Sequence, residues 1–332
     1  MSGIWCLKKP KLPTRQGVSA STVALPAHQE GTPAHHGSNQ LWPTVFEFLC
    51  ARFPAVTPQE WSARFADGLV LNAQGEPIHE AAPYTPNSLI HYYRRIPQEP
   101  ELPFRAQVLF QDAHLVVADK PHFMPVTPAG RYVRSSLLVQ LKEQLGIDTL
   151  SPLHRIDRET AGLVVFSVKP QERNAYQALF RERKVNKTYQ AVAPYREDLV
   201  FPLTRQSRIE EDAQFFLSRE VEGVPNSETR IEILKVLDTW DTLNKAAHSA
   251  LYELTPVTGK RHQLRIHMCA LGIPIEGDQF YPKVLRGPEE SEDFTQPLQL
   301  LAEKIAFTDP ITGEKREFTS RQKLAWMIKS PG

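Results

Sequence analysis

His154-Arg155-Ile156-Asp157-Arg158-Glu159-Thr160-Ala161-Gly162-Leu163 sets an acid between two arginines, behind a histidine, and runs through a Thr-Ala-Gly turn into the apolar Leu163-Val164-Val165-Phe166. Guanidinium groups on both sides favour the charged form of a carboxylate, so Asp157 is expected to stay ionised. An ionised acid in a basic, partly enclosed setting suits an anionic substrate and a nucleophilic step. The alternative reading is a solvated charge cluster at the start of a strand, since surface ion pairs are common.

Motifs on either side bear on that choice. Upstream, Val108-Leu109-Phe110-Gln111-Asp112-Ala113-His114-Leu115-Val116-Val117-Ala118-Asp119-Lys120-Pro121 reads as two apolar strands joined by a polar turn, ended by a proline that cannot join a ladder. Downstream lie Lys187-Thr188-Tyr189, then Thr258-Gly259-Lys260-Arg261-His262-Gln263-Leu264-Arg265-Ile266-His267, then Gly272-Ile273-Pro274-Ile275-Glu276-Gly277-Asp278, and a closing stretch from Leu298 to Phe318. In this order the segments resemble the signature of the RluA-type RNA pseudouridine synthases, from about Arg105 onward. Departures are small: Ile156 stands where leucine is usual, Lys260-Arg261 replaces an Arg-Thr or Arg-Lys pair, and Leu301 stands where the family often has histidine.

The resemblance implies an α+β pseudouridine synthase fold, with a bent, mainly antiparallel mixed sheet and flanking helices, preceded by a small α/β N-terminal domain. It also implies roles. Asp157 matches the catalytic aspartate, Arg265 the arginine that pairs with it, and Tyr189 the tyrosine that lies against the target uracil. Arg155 matches the residue that helps displace the flipped base, which must leave its stack before chemistry is done on it. His154, Arg158, Lys187, Lys260, Arg261 and His262 join Arg155 as candidates for contact with RNA or base, with a structural role also open for His154. Leu264, Met268 and Leu271 recur at helical spacing, so Arg265 is expected beside an apolar face, emerging at a groove edge. The implied substrate is ribosomal or transfer RNA, and the implied reaction detaches uracil, rotates it and rejoins it through carbon 5. Two other readings are a non-catalytic RNA binder and a glycosidic hydrolase using Asp157 with Glu159 as a carboxylate pair.

The chain has 332 residues, 41% of them hydrophobic, a net charge of +1 and three cysteines. That length exceeds one compact core. The near-neutral total is weak evidence against generic nucleic-acid binding, so local clusters carry more weight: Arg173, Arg181, Arg183, Lys184 and Lys187 gather just past the Asp157 motif. No metal or cofactor is expected. His262 and His267 stand five apart, off one helical face, while Cys6, Cys50, Cys269 and the pair His35-His36 have no zinc-type spacing. Neither a phosphate loop nor a dinucleotide fingerprint is present. Unpaired cysteines and the lack of an apolar leader or membrane-length run point to a cytoplasmic protein, expected to be a monomer.

Residues 1–40 are rich in Pro, Gly, Ser, Thr, Ala and His, and are expected to form a disordered leader. Residues 41–103 read as helix, capped helix and hairpin (Gly68 to Ile78), similar to a small alpha-L RNA-binding domain but with more acids than bases, hence a degenerate version. Residues 104–332 form the expected catalytic domain. Its strands are placed near Val108–Phe110, Leu115–Ala118, Leu163–Val168, Thr188–Val192, Thr229–Leu237, Ala250–Pro256 and Leu300–Phe307. Its helices cover Ser135–Leu145, Gln171–Arg181 and Lys260–Leu271, and Pro194–Pro225 is expected to be an irregular loop over the RNA.

Overall fold

A computed structural model of the chain describes residues 12–15, 17–27, 42–94, 99, 101–212, 217–237, 248–285, 287, 290 and 293–324. It divides into two units, one holding residues 1–100 with 130–134, the other 101–129 with 135–332.

In the first unit, β1 (Ser21–Ala24), α1 (Val45–Arg52), α2 (Pro58–Ala66), β2 (Val70–Leu71) and β3 (Leu89–Tyr92) build a small sheet in the order β1-β3-β2. Thr57 and Glu60 cap α2 reciprocally: Glu60 N donates to Thr57 Oγ1 at 3.2 Å and Thr57 N to Glu60 Oε2 at 2.9 Å, with Pro58 in the first turn. Trp61, Phe48, Leu49, Tyr84 and Tyr92 share the core. Two expectations need correction. The reading of residues 1–40 as a disordered leader fails at Ser21–Ala24, which pairs antiparallel with β3; residues 1–11, 16 and 28–40 lie outside those described. The hairpin over Gly68–Ile78 reduces to a bridge between Leu71 and Pro77, and β2 takes β3 as its partner instead.

Among the described residues, the second unit is an 11-stranded sheet with three helices against it. Its elements are β4 (Gln107–Gln111), β5 (Leu115–Lys120), α3 (Leu137–Leu145), β6 (Ser151–Pro152), β7 (Ala161–Ser167), α4 (Arg173–Arg181), β8 (Asn186–Pro194), β9 (Leu203–Glu211), β10 (Ser218–Val221), β11 (Ser227–Leu237), β12 (Ser249–Pro256), α5 (Gln263–Ala270), β13 (Leu300–Thr308) and β14 (Lys315–Thr319). The strand order is β10-β9-β11-β12-β8-β13-β7-β5-β4, antiparallel except where β13 meets β7. Every residue of β5 and β7 is buried, because alternate side chains serve opposite faces. Val116, Val164 and Phe166 pack with Leu137 and Leu141 of α3, whereas Leu115, Leu163 and Val165 pack with Tyr176 of α4. On the far half of the sheet, Leu264 and Met268 of α5 lie on Ala191, Ile231, Tyr252 and Leu254.

The stretch expected as a loop over Pro194–Pro225 contains β9 and β10 instead. They are held by polar cross-strand contacts, such as Arg205 Nη2 to Glu220 Oε2 at 2.6 Å, rather than by an apolar stripe. One glycine fixes the join between the Asp157 turn and the sheet centre. Gly162 has φ +110°, and a Cβ there would collide with the carbonyl of Ala302 on β13. Leu301, at the position where the signature often carries histidine, is buried with Ala161 and Val192.

Candidate active site

The turn from Leu153 to Thr160, just before β7, is tied down mainly by main-chain contacts. Lys120 at the end of β5 is fully buried, and its Nζ donates to the carbonyls of Pro121 at 3.0 Å and Arg158 at 3.1 Å. Burial drives its pKa down to about 7, against the pull of Glu159. His122 Nδ1 donates to the Glu159 carbonyl at 2.7 Å, and Thr160 N donates to the Asp157 carbonyl at 3.2 Å. His154 turns inward: its Nε2 accepts from Val165 N at 3.1 Å, and its ring stacks on Phe180 at 4.8 Å. Burial and then the Lys187 charge hold the His154 pKa down near 3, so the ring is neutral and its acceptor nitrogen occupied.

Asp157 and Glu159, two residues apart, meet the same guanidinium. Arg265 Nη1 lies 3.6 Å from Asp157 Oδ2 and 3.4 Å from Glu159 Oε2. Its stronger partner is Asp278, which takes Nε at 2.8 Å and Nη2 at 2.6 Å in a two-pronged pair. Asp278 Oδ1 also accepts from the main chain of Phe280 at 2.9 Å and Tyr281 at 3.2 Å. Those two rings cover the guanidinium, with centroids 5.0 Å and 5.4 Å from its carbon. Arg265 therefore does not emerge at a groove edge, as its helical position suggested. It is buried because three carboxylates and two aromatic faces take the place of water, and its pKa lies above the usual arginine value.

The two acids differ in what they have left to give. Burial pushes the Glu159 pKa up, but Arg265 and Arg158 outweigh it and hold the group at about 2. Its oxygens are taken by Arg158 Nη2 at 2.9 Å and by Arg265, so it is not the second member of an open carboxylate pair. Asp157 keeps a quarter of its side chain exposed and faces the cleft.

That cleft has a volume of about 640 Å³. One wall is the Asp157 turn; another runs from Phe180 through Arg181, Arg183, Val185 and Lys187 to Tyr189; the third is Pro256–Lys260 with His262–Arg265. Arg155, Arg181, Arg183 and Lys260 are exposed at its rim, and Lys187 is half-buried. Of the other predicted contacts, Arg158 is engaged with Glu159, and neither it nor Arg261 lines the cleft. Arg173 is drawn away to the Thr149 carbonyl at 3.2 Å, and Lys184 pairs with Glu182. Tyr189 stands on β8 between Leu254 and Ala302. Burial, then the Asp157 charge, pushes its phenol pKa above the normal range, so the ring presents a protonated hydroxyl and an aromatic face.

Sequence reasoning passed over Lys120, Asp278, Gln263 and the Phe280–Tyr281 pair. Gln263 locks the loop before α5 with both ends of its amide. Oε1 accepts from Thr258 Oγ1 at 2.7 Å and Lys260 N at 3.0 Å, and Nε2 donates to Glu228 O and Thr229 Oγ1, both at 2.9 Å. Lys120, Gln263 and Asp278 stood inside quoted motifs that carried no indication of partner, and Phe280 and Tyr281 stood just outside them. Among the described residues no three His, Cys, Asp or Glu side chains form a group that could hold a metal, and no helix is long and apolar enough to cross a membrane. Cys6, His35 and His36 lie outside the described residues.

A basic cleft around one open carboxylate is the geometry against which relatives can be compared. Residues 114–270 match the family of RNA pseudouridylate synthases. The chain is 32% identical over 233 residues to the dual-specificity RNA pseudouridine synthase RluA of Haemophilus influenzae, covering 68% of this chain and 95% of that protein. It is 28% identical over 219 residues to tRNA pseudouridine synthase C of Vibrio parahaemolyticus, covering 64% and 89%. The solved structure of human RNA Pseudouridylate Synthase Domain Containing 1 shares the fold, with a TM-score of 0.53 at 20% identity over 68% of this chain and 86% of that one. The α+β fold is thus that of the pseudouridine synthases. The chain belongs to the RluA-type RNA pseudouridine synthase family, and its class of enzyme is an isomerase.

Proposed function

We propose that the protein converts specific uridines of ribosomal or transfer RNA to pseudouridine, with Asp157 as the residue that acts on the nucleotide and no cofactor. The observation that carries this reading is the open carboxylate of Asp157 in a cleft with a basic rim, 3.6 Å from a buried arginine whose other partners hold it still. Arg265 holds that carboxylate in one orientation. Tyr189 offers its ring face to the uracil, and Arg155, exposed beside the turn, fills the space the flipped base leaves in the stack. Arg181, Arg183, Lys187 and Lys260 take the phosphates, which position RNA without reading its sequence. Enclosure matters because uracil freed from its ribose must be recaptured before it diffuses away. The names of the Haemophilus and Vibrio relatives, one dual-specificity and one acting on tRNA, support structured RNA as the substrate class.

The test is pseudouridine mapping of total RNA from cells with and without the gene, complemented by wild type or by Asp157→Asn. Defined uridines should lose their signal without the gene and regain it with wild type but not with the variant. Free uracil released from RNA by the purified protein would instead establish a hydrolase.

A further inference from the structure

The reaction leaves one proton without an assigned carrier. Isomerising uridine to pseudouridine removes a proton from carbon 5 and returns one to nitrogen 1, whatever happens at the sugar. The cleft offers few groups that can accept it. Lysine and arginine are donors only. The Tyr189 phenol keeps its own proton and Glu159 is held by two guanidinium groups, which leaves the Asp157 carboxylate and one imidazole.

His262 differs from all of these, and hydrogen-bond counting fixes its tautomer. The Tyr281 hydroxyl has one hydrogen and two lone pairs. It donates to the Ser218 carbonyl at 2.8 Å and accepts from Ser218 N at 3.0 Å. Its remaining lone pair faces His262 Nδ1 at 2.9 Å, so Nδ1 must carry the hydrogen. The neutral ring then presents Nε2 as a bare lone pair, 3.9 Å from Asp157 Oδ1. Two acceptors at that separation leave room for a hydrogen supplied by the substrate. The ring is buried at 7% exposure and stacks on Phe280 at 6.1 Å. Its backbone sits at φ +57°, ψ +18°, a region sparsely used by residues other than glycine, so the chain is bent to aim it. Burial lowers its pKa; Asp157 and Glu159 pull it up, while Arg265 and Arg261 push it down, and the net direction favours the neutral, accepting ring.

We propose that His262 is the general base that removes the carbon-5 proton, with Tyr281 as the positioning residue that fixes its accepting tautomer. This rests on the pseudouridine synthase reading above. Once carbon 5 has joined carbon 1′ of the ribose, it carries both the new bond and its original hydrogen. It then lies in the cleft that Asp157 and His262 both line. The C5–H bond breaks, and its proton goes to Nε2. Its electron pair forms the C5=C6 double bond, and the C6=N1 pair settles on nitrogen 1, which takes up a proton. The imidazolium returns its proton to solvent, so no oxidant or co-reactant is consumed.

The experiment is single-turnover kinetics on a mapped RNA substrate transcribed with ordinary or 5-deuterated uridine. For His262→Gln the rate should fall by about 10²-fold, in the range for loss of a positioned base. A primary isotope effect larger than the wild-type value should appear as the carbon-5 step becomes limiting. Tyr281→Phe, which keeps the imidazole but frees its tautomer, should give a smaller slowing with the same isotope signature. A slowed His262→Gln without a larger isotope effect, or one as fast as wild type, overturns the assignment while leaving the enzyme reading intact. Wild-type protein that forms no pseudouridine on a mapped substrate overturns both.

Discussion

Asp157 and Glu159 are two carboxylates in one turn, touching one guanidinium, and they have opposite fates. Glu159 points into the protein, where Arg158 and Arg265 hold it at about pKa 2. Asp157 points into the cleft, a quarter exposed. The inner acid is occupied by guanidinium groups and the outer one is open to the cleft. The difference comes from the strand that follows: β7 starts at Ala161, and its union with β13 at Gly162 and Ala302 orients the preceding turn. A residue can therefore belong to a functional cluster by sequence and still serve only to hold its neighbour.

Neutralising each acid in turn separates their roles. Asp157→Asn should lower single-turnover pseudouridine formation by at least about 10³-fold, as expected for a reacting carboxylate. Its unfolding free energy in urea should stay within about 1 kcal/mol of wild type, since Asp278 and Glu159 still balance Arg265. Glu159→Gln should do the reverse in stability, costing about 3 kcal/mol because a buried guanidinium loses a matched charge. The pH dependence carries the sign. A carboxylate whose folded pKa is depressed from 4.5 to about 2 adds stability that is complete above about pH 4.5 and lost as pH falls toward 2. Denaturation curves across that window should be steep for wild type and flatter for Glu159→Gln.

Two smaller effects sharpen the picture. Lys120→Met removes the ammonium that holds the Arg158 carbonyl, and should cut kcat about 10-fold with KM unchanged, by loosening the turn. Arg183→Ala at the rim should weaken RNA binding only a few-fold and reduce the salt slope of affinity by about one unit, leaving kcat alone. Filter binding across a salt series, paired with turnover, separates the two.

The buried strands were legible in sequence because Leu115–Ala118 and Leu163–Phe166 are unbroken apolar runs, and α2 because Thr57-Pro58-Gln59-Glu60 carries its own cap. β9 was not. Leu203-Thr204-Arg205-Gln206-Ser207-Arg208-Ile209 has polar residues on both faces, and its pairing is carried by Arg205–Glu220 and Ser207–Ser227, which no periodicity reveals. Arg265 was legible as a partner of Asp157 but not as a buried residue. Its position on α5 says nothing of Asp278, 13 residues away, whose carboxylate claims both prongs of the guanidinium. β1 escaped notice because four residues of mixed polarity in a polar stretch gain strand character only from their partner β3.

The place of β13 in the sheet has a consequence for when the protein becomes competent. β7 carries the Asp157 turn and β8 carries Tyr189, yet the two are not paired in the sheet; β13, made more than a hundred residues after either, is inserted between them. A nascent chain still on the ribosome, before Leu300–Thr308 has emerged, holds both halves of the site without the strand that sets their spacing. Such long-range closure comes late in folding. The chain is thus timed by its own topology to complete the site only after β13 has been made.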